Sequence, residues 1–162
     1  MKVSDIENAI IERLKAKTAT FKNIAVAPFP DKEKYALRHS AAVLVRYSSS
    51  AYAAPLDVGA NVQERNLKIK VTLITKSLRD KNIGGYDLLD TVSMALSGFK
   101  IAGCKKIYLI ADNFVDRDAS IWEHELTFGV PTMHIEEPDE DELVSLSGIS
   151  FDGSIKNKEA TQ

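Results

Sequence analysis

The sequence predicts an α+β domain in which two helices pack on a mainly antiparallel sheet, a helix-hairpin-helix-hairpin sandwich. Two kinds of periodicity carry that expectation. Apolar residues recur every three or four positions in Ile6–Leu14 and again in Leu88–Leu96, the spacing that lines one face of a helix. They recur every second position in Leu67–Leu73 and in Trp122–Val130, which sorts side chains onto the two faces of a strand. The order of these segments along the chain gives the sandwich.

The first element spans about Ser4 to Lys17. Ser4-Asp5-Ile6-Glu7 has the form of a capping box, with the Ser4 hydroxyl accepting the Glu7 N–H and the Glu7 carboxylate reaching back. Ile6, Ile10 and Leu14 form the apolar stripe with Ala9 and Ile11 beside it, and Glu7, Glu12, Arg13 and Lys15 occupy the opposite face. A short apolar run, Ile24 to Ala27, is cut off by Pro28 and Pro30 and is expected at a sheet edge. Ala41 to Tyr47 (AAVLVRY) reads as a strand, and the segment through Arg65 (SSSAYAAPLDVGANVQER) as an unusually long functional loop. In the strand that follows, Leu67, Ile69, Val71 and Leu73 alternate with Lys68, Lys70 and Thr72. Gly84-Gly85 opens the second helix, with Leu88, Leu89, Val92, Ala95 and Leu96 as its apolar stripe and Gly98 placed for a C-terminal cap. Lys105 to Val115 and Ile121 to Val130 form the second hairpin, joined by the polar turn Asp116-Arg117-Asp118-Ala119.

Ile121–Val130 decides between enzyme and scaffold. It holds the single Trp, one of three His and two Glu, a mixture that suggests a catalytic or metal cluster. A zinc-protease helix needs a second His four residues after the first, and the residue at that place is Phe128. As a strand, the segment puts Trp122, His124, Leu126, Phe128 and Val130 on one face and Ile121, Glu123, Glu125 and Thr127 on the other. Gly129 and Pro131 are expected to end it, with His124 a structural residue whose ring nitrogens are satisfied.

At 162 residues the chain is the size of one domain with one core. A net charge of −2 leaves no overall basic field to draw it onto nucleic acid. The single cysteine, Cys104, rules out an internal disulfide and reads as a packing residue. The N-terminal MKVSDIENAIIERLK mixes charge into its apolar positions, so neither a signal peptide nor a membrane span is expected. Gly-x-Ser-x-Gly, phosphate-loop and dinucleotide fingerprints are missing, and the three histidines lie far apart in sequence. No enzyme, cofactor or metal site is expected. Lys68, Lys70 and Lys76 form a modest basic strip.

Residues 1–131 are read as the domain and 132–162 as an acidic C-terminal tail or docking arm. Six of the seven residues from Glu136 to Glu142 are acidic, which suits a solvated tail. Leu143, Val144, Leu146, Ile149 and Phe151 follow, which suits an extended arm that binds a partner.

The order VLVRYSSSAY, QERNLKIKVTLIT, GGYDLLDTVSMALSGF and SIWEHELTFGV resembles the small tail proteins of Mu-like contractile-tailed phages, a family similar to the tail terminators of long-tailed phages. The resemblance spans about Val3 to Val130. It implies a structural protein that forms a homo-oligomeric ring, a hexamer, on the head-proximal end of the tail tube. Such a ring stops tail polymerisation, holds the last sheath ring and offers the head-tail joining surface. It implies the tail tube, sheath and head-tail connector proteins as partners, DNA only passing through the lumen, no membrane, and a virion tail location after assembly in the host cytoplasm. Under that reading Arg46, Tyr52, Leu56, Asp57 and Arg65 are candidates for the subunit or tube interface, and Lys68 and Lys70 for the lumen. Another neck or head-tail joining ring component is the near alternative. A small monomeric protein-binding regulator is the alternative from a different class.

Overall fold

The structure, a computed structural model, describes residues 1–31, 35–56, 61–81, 84–118 and 120–137. It is an α+β domain with two helices on a five-stranded mixed sheet. The elements run α1 (Val3–Lys17), β1 (Ile24–Pro28), β2 (Ala41–Tyr52), β3 (Val62–Thr75), α2 (Gly85–Leu96), β4 (Tyr108–Asp118) and β5 (Ile121–Ile135). The sheet order is β1-β2-β3-β5-β4. Only β1 is parallel to its neighbour; the other three pairings are antiparallel.

Helix α1 begins two residues earlier than the Ser4 capping box implies. Lys2 occupies the cap position; its N–H donates to the Asp5 carboxylate at 3.4 Å, while the Asp5 N–H donates to the Lys2 carbonyl. The acid that answers the first turn is therefore Asp5, where Glu7 was expected. Ile6, Ile10, Ile11 and Leu14 are buried, as their spacing requires. At the other end, the Thr18 N–H and hydroxyl both donate to the Leu14 carbonyl at 2.8 Å, so one residue satisfies an orphan carbonyl twice.

Helix α2 is fixed at both ends by glycine. A Cβ at Gly84 would lie 2.7 Å from the carbonyl oxygens of Leu78 and Asp80, both backbone atoms that cannot swing aside. Gly98, just past the helix, has φ +79°, the left-handed conformation that L side chains avoid. The helices join through Arg13, whose Nε donates to the Ala95 carbonyl at 3.2 Å while its guanidinium lies over the Phe99 ring.

The main core lies between the helices and one sheet face. Val43 and Val45 of β2, Leu67 to Leu73 of β3, and Leu126, Phe128 and Val130 of β5 meet Ile10, Leu14, Leu88, Val92 and Leu96. A smaller core covers part of the opposite face, where Ala42, Leu44 and Ile74 pack under Phe29, Tyr35, Leu37 and Ile121. The chain between β1 and β2 thus serves as a second layer over that end of the sheet.

Three expected boundaries move. The described part of the long loop after Tyr47 is mostly strand: β2 continues to Tyr52 through an irregularity between Tyr47 and Ser49, and β3 starts at Val62. Pro131 does not end β5, which pairs with β3 as far as Ile135 opposite Val62. A proline survives there because Pro131 needs no N–H on that side of the ladder, and its carbonyl accepts from the Lys105 N–H. Asp116 and Asp118 belong to β4, where they pair with Glu123 and Ile121, so the hairpin turn is shorter than the four residues expected.

Phe128 is fully covered, whereas Trp122 is only half-buried, beside Phe114 at 6.0 Å between ring centroids. Phe128→Ala is expected to lower stability by about 3–5 kcal/mol through the cavity it leaves, and Trp122→Ala by clearly less. Chemical denaturation of both variants measures the difference; equal losses would mean that the indole is a core residue.

Candidate functional site: a three-stranded tongue and a charged sheet face

Beyond the helices, the sheet narrows to three strands. The outer parts of β2, β3 and β5 pair as Ser50↔Leu67, Ala51↔Asn66 and Tyr52↔Arg65 on one side of β3. Asn66↔Pro131, Arg65↔Thr132 and Val62↔Ile135 continue the pairing on the other. From Arg46 to Leu56 no residue is buried. Past Leu67, the described part of this extension buries only Thr132, which donates its hydroxyl to the Gly103 carbonyl at 2.9 Å. Tyr52, Leu56 and Ile135 are large apolar side chains left exposed on it.

The tongue is internally braced. Arg65 Nε donates to Ser50 Oγ at 3.0 Å, and its guanidinium lies 5.5 Å from the Tyr52 ring centroid. That ring meets His134 edge-on at 5.5 Å. Gln63 donates to the Ala53 carbonyl at 3.0 Å, the Leu56 N–H to the Val62 carbonyl at 2.8 Å, and the Glu136 N–H to the Asn61 carbonyl at 3.0 Å. At its root, Ala51, Ala53, Glu64, Lys105 and Pro131 line a shallow cleft of about 270 Å³. Of its charged lining residues, Lys105 Nζ stands 3.0 Å from Glu64 Oε1, and Arg65 bonds Ser50.

Of the predicted interface residues, Tyr52 and Arg65 come together on the tongue, and Leu56 lies near its tip. Asp57 lies outside the described residues. Arg46 and Lys70 belong instead to a cluster on the face away from the helices. Glu125 receives Arg46 Nη2 at 3.2 Å and Lys70 Nζ at 2.7 Å, and Arg46 also stacks over Phe29 at 4.9 Å. Lys68, one pleat along the same face, is exposed. The basic strip is thus half neutralised within the subunit, and Glu125, not singled out from sequence, is its centre. Its signal was the acid on β5 two strand positions from Glu123 on the polar face.

His124 packs edge-on against Phe114 at 5.5 Å and is partly open to solvent. Burial pushes its pKa below the ordinary imidazole value, partly opposed by Asp112. Cys104 is buried, its Sγ 3.5 Å from the Met1 sulfur, and burial raises its pKa; it is a packing residue. Among the described residues, no three His, Cys, Asp or Glu side chains gather as metal ligands, and no helix is long and apolar enough to cross a membrane.

Sequence reasoning placed a strand over Lys105 to Val115 but did not mark it as an exposed sheet edge, which is where β4 lies. Tyr108, Leu109, Ile110, Phe114 and Val115 are all exposed along it. Two register irregularities, at Ile110 and Val115, separate the paired residues. A bulged edge breaks the two-residue alternation by which a half-exposed strand is recognised.

A model of the family described as Gp37 protein matches residues 10–153. The chain belongs to that family. The match takes in the second half of α1, the whole sheet, the tongue and residues beyond the described part of the chain. No curated protein matches this member of the Gp37 family by sequence. Among solved structures, a chain of the virion of a native gene transfer agent particle is similar at 14% identity and a TM-score of 0.48, covering 79% of this chain and 94% of that one.

Two outcomes follow from these side chains. Glu125→Gln leaves Arg46 and Lys70 as neighbouring cations and should cost about 1 kcal/mol in low salt, less as salt screens the pair; denaturant melts at two ionic strengths read this. Because the folded pKa of His124 lies below its unfolded value, its contribution is complete above the unfolded value of about 6.5 and is lost as pH falls through it toward the folded value. Melts from pH 8 to 5 should show that loss in the native chain and a smaller one in His124→Gln.

Proposed function

We propose that this Gp37-family protein is a structural component of a phage-like particle, a tail terminator. In this reading it forms a ring on the head-proximal end of the tail tube, stops tube growth and offers the surface that the head-tail connector meets. The observation that carries it is the tongue. A three-stranded extension that buries little among the described residues and leaves Tyr52, Leu56 and Ile135 exposed gains little from the described part of its own subunit. It is braced by hydrogen bonds and ring contacts, so it presents a preformed surface, and binding protein there costs little ordering entropy.

The sheet supports the same reading. Its two edges differ, a short parallel β1 at one end and a long antiparallel β4 at the other. A subunit with unlike edges suits head-to-tail contacts, which close into a ring when the rotation between copies permits. The resemblance of the VLVRYSSSAY, NLKIKVTLIT and SIWEHELTFGV segments to small tail proteins supplies the specific role. On the face away from the helices, the Glu125 cluster holds Arg46 and Lys70 while Lys68 is exposed, a weak field that suits a wall DNA slides past without binding. The protein acts by shape, not by catalysis.

Mass measurement of the purified protein, alone and with tail tubes, tests this. The native chain should bind tube ends and cap their length. Tyr52→Ser/Leu56→Ser/Ile135→Ser should melt within about 1 kcal/mol of the native chain, since these side chains are already in water, yet lose tube binding. A native chain that stays monomeric and ignores tubes refutes the proposal.

A further inference from the structure

The helix side of the sheet is finished differently at its two margins. At one margin β4 carries Phe114, which is exposed; its ring centroid lies 6.0 Å from that of Trp122 and 5.5 Å from that of His124. Trp122 and His124 continue the alternation of Leu126 and Phe128 along β5, so the three rings prolong the core face to where it meets solvent. Asp112, exposed on the same strand as Phe114, stands close enough to His124 to act on its charge. From Tyr108 to Asp118 the chain has three acids and one base.

At the other margin α1 and β1 leave an open groove of about 500 Å³, lined by Lys15, Phe21, Asn23, Ile24, Val26 and His39. Phe21, Ile24 and Val26, partly buried against the main core, give it an apolar floor. Its wall is preformed: Asn23 takes φ +57°, its side chain donates to Ser40 Oγ at 3.2 Å, and its Oδ1 lies 3.0 Å from His39 Nδ1. Lys22 and Arg38, next in the chain to lining residues, are exposed. From Lys15 to His39 the chain has six bases and two acids.

Strands β1 and β4 end the sheet on its two sides. Four strand spacings, about 19 Å, lie between them, so one copy cannot bring its own acid–aromatic patch to its own groove. Two copies meeting patch to patch would set Asp112 against Asp112, and two meeting groove to groove would set base against base. Patch to groove is the pairing that matches both charge and apolar surface.

Resting on the reading of this protein as a ring, we propose that this is the contact between its subunits: the patch of Asp112, Phe114, Trp122 and His124 on one copy seats in the α1–β1 groove of the next. Lys22 and Arg38 of the receiving copy meet the Asp112 carboxylate and the Phe114 ring, by charge-assisted hydrogen bonds and cation–π contact. Each copy then has one donor and one acceptor surface, and the series of identical contacts ends when the ring closes.

Native mass measurement of full-length variants tests the contact. Asp112→Ser/Phe114→Ser removes the donor surface and Lys22→Glu/Arg38→Glu the acceptor surface; all four positions are exposed, so both variants should melt close to the native chain. Each alone should self-associate about tenfold or more weakly. Their equimolar mixture retains one native pairing and should give one-to-one dimers that grow no further, because each end of the dimer is a disabled surface. Adding Asp112→Lys to Lys22→Glu/Arg38→Glu in one chain restores opposite charges and should recover part of the assembly. Rings of native size from either variant alone, or a mixture no heavier than its parts, overturn this contact and leave the ring itself standing. A native chain that stays monomeric when offered tail tubes overturns both.

Discussion

The ladder between β3 and β5 is the constraint on which the rest depends. It runs the full length of β3, from Val62 opposite Ile135 to Thr75 opposite Trp122. Its inner half carries Ile69, Val71, Leu126 and Phe128 into the core; its outer half becomes the tongue. One register therefore sets both the face that meets the helices and the face that the tongue presents. A slip of β5 by one residue would bring Thr127 to the core face and turn Phe128 to water. The buried aliphatic residues forbid that, so the core fixes the geometry of a surface that does not itself hold a core.

The parts of the fold legible in the sequence were those where burial repeats at one period. Ile6, Ile10 and Leu14 on α1, and Leu67 to Leu73 on β3, face the core as their spacing requires, because each sits where a single face is covered. Legibility failed where neither face is covered or both are. Ser48 to Arg65 carries small and polar residues and reads as loop, but tertiary pairing holds most of its described part extended. Pro131 reads as a terminator, yet it stands where the ladder does not ask for its N–H.

The candidate site was legible in a different sense. Tyr52, Leu56 and Arg65 are on the tongue, and the resemblance to small tail proteins is what made them interface candidates. Arg46 and Lys70 carry the same charge as any solvent-facing basic pair, and nothing local in sequence shows that Glu125 holds them both. That acid is 55 positions from Lys70 and 79 from Arg46; only the three-strand register brings them together. Charge partners across a sheet are set by topology, which a one-dimensional pattern does not encode.

The tongue continues without a break into strands that cross the domain, and this has a mechanical meaning. Interstrand hydrogen bonds lie roughly perpendicular to antiparallel strands. A pull on the tip along the strand direction loads many of those bonds together in shear, whereas a sideways tug would open them one after another. The extension is thus stiff against traction along its length and weaker against peeling, like a cantilever rooted in the centre of the domain.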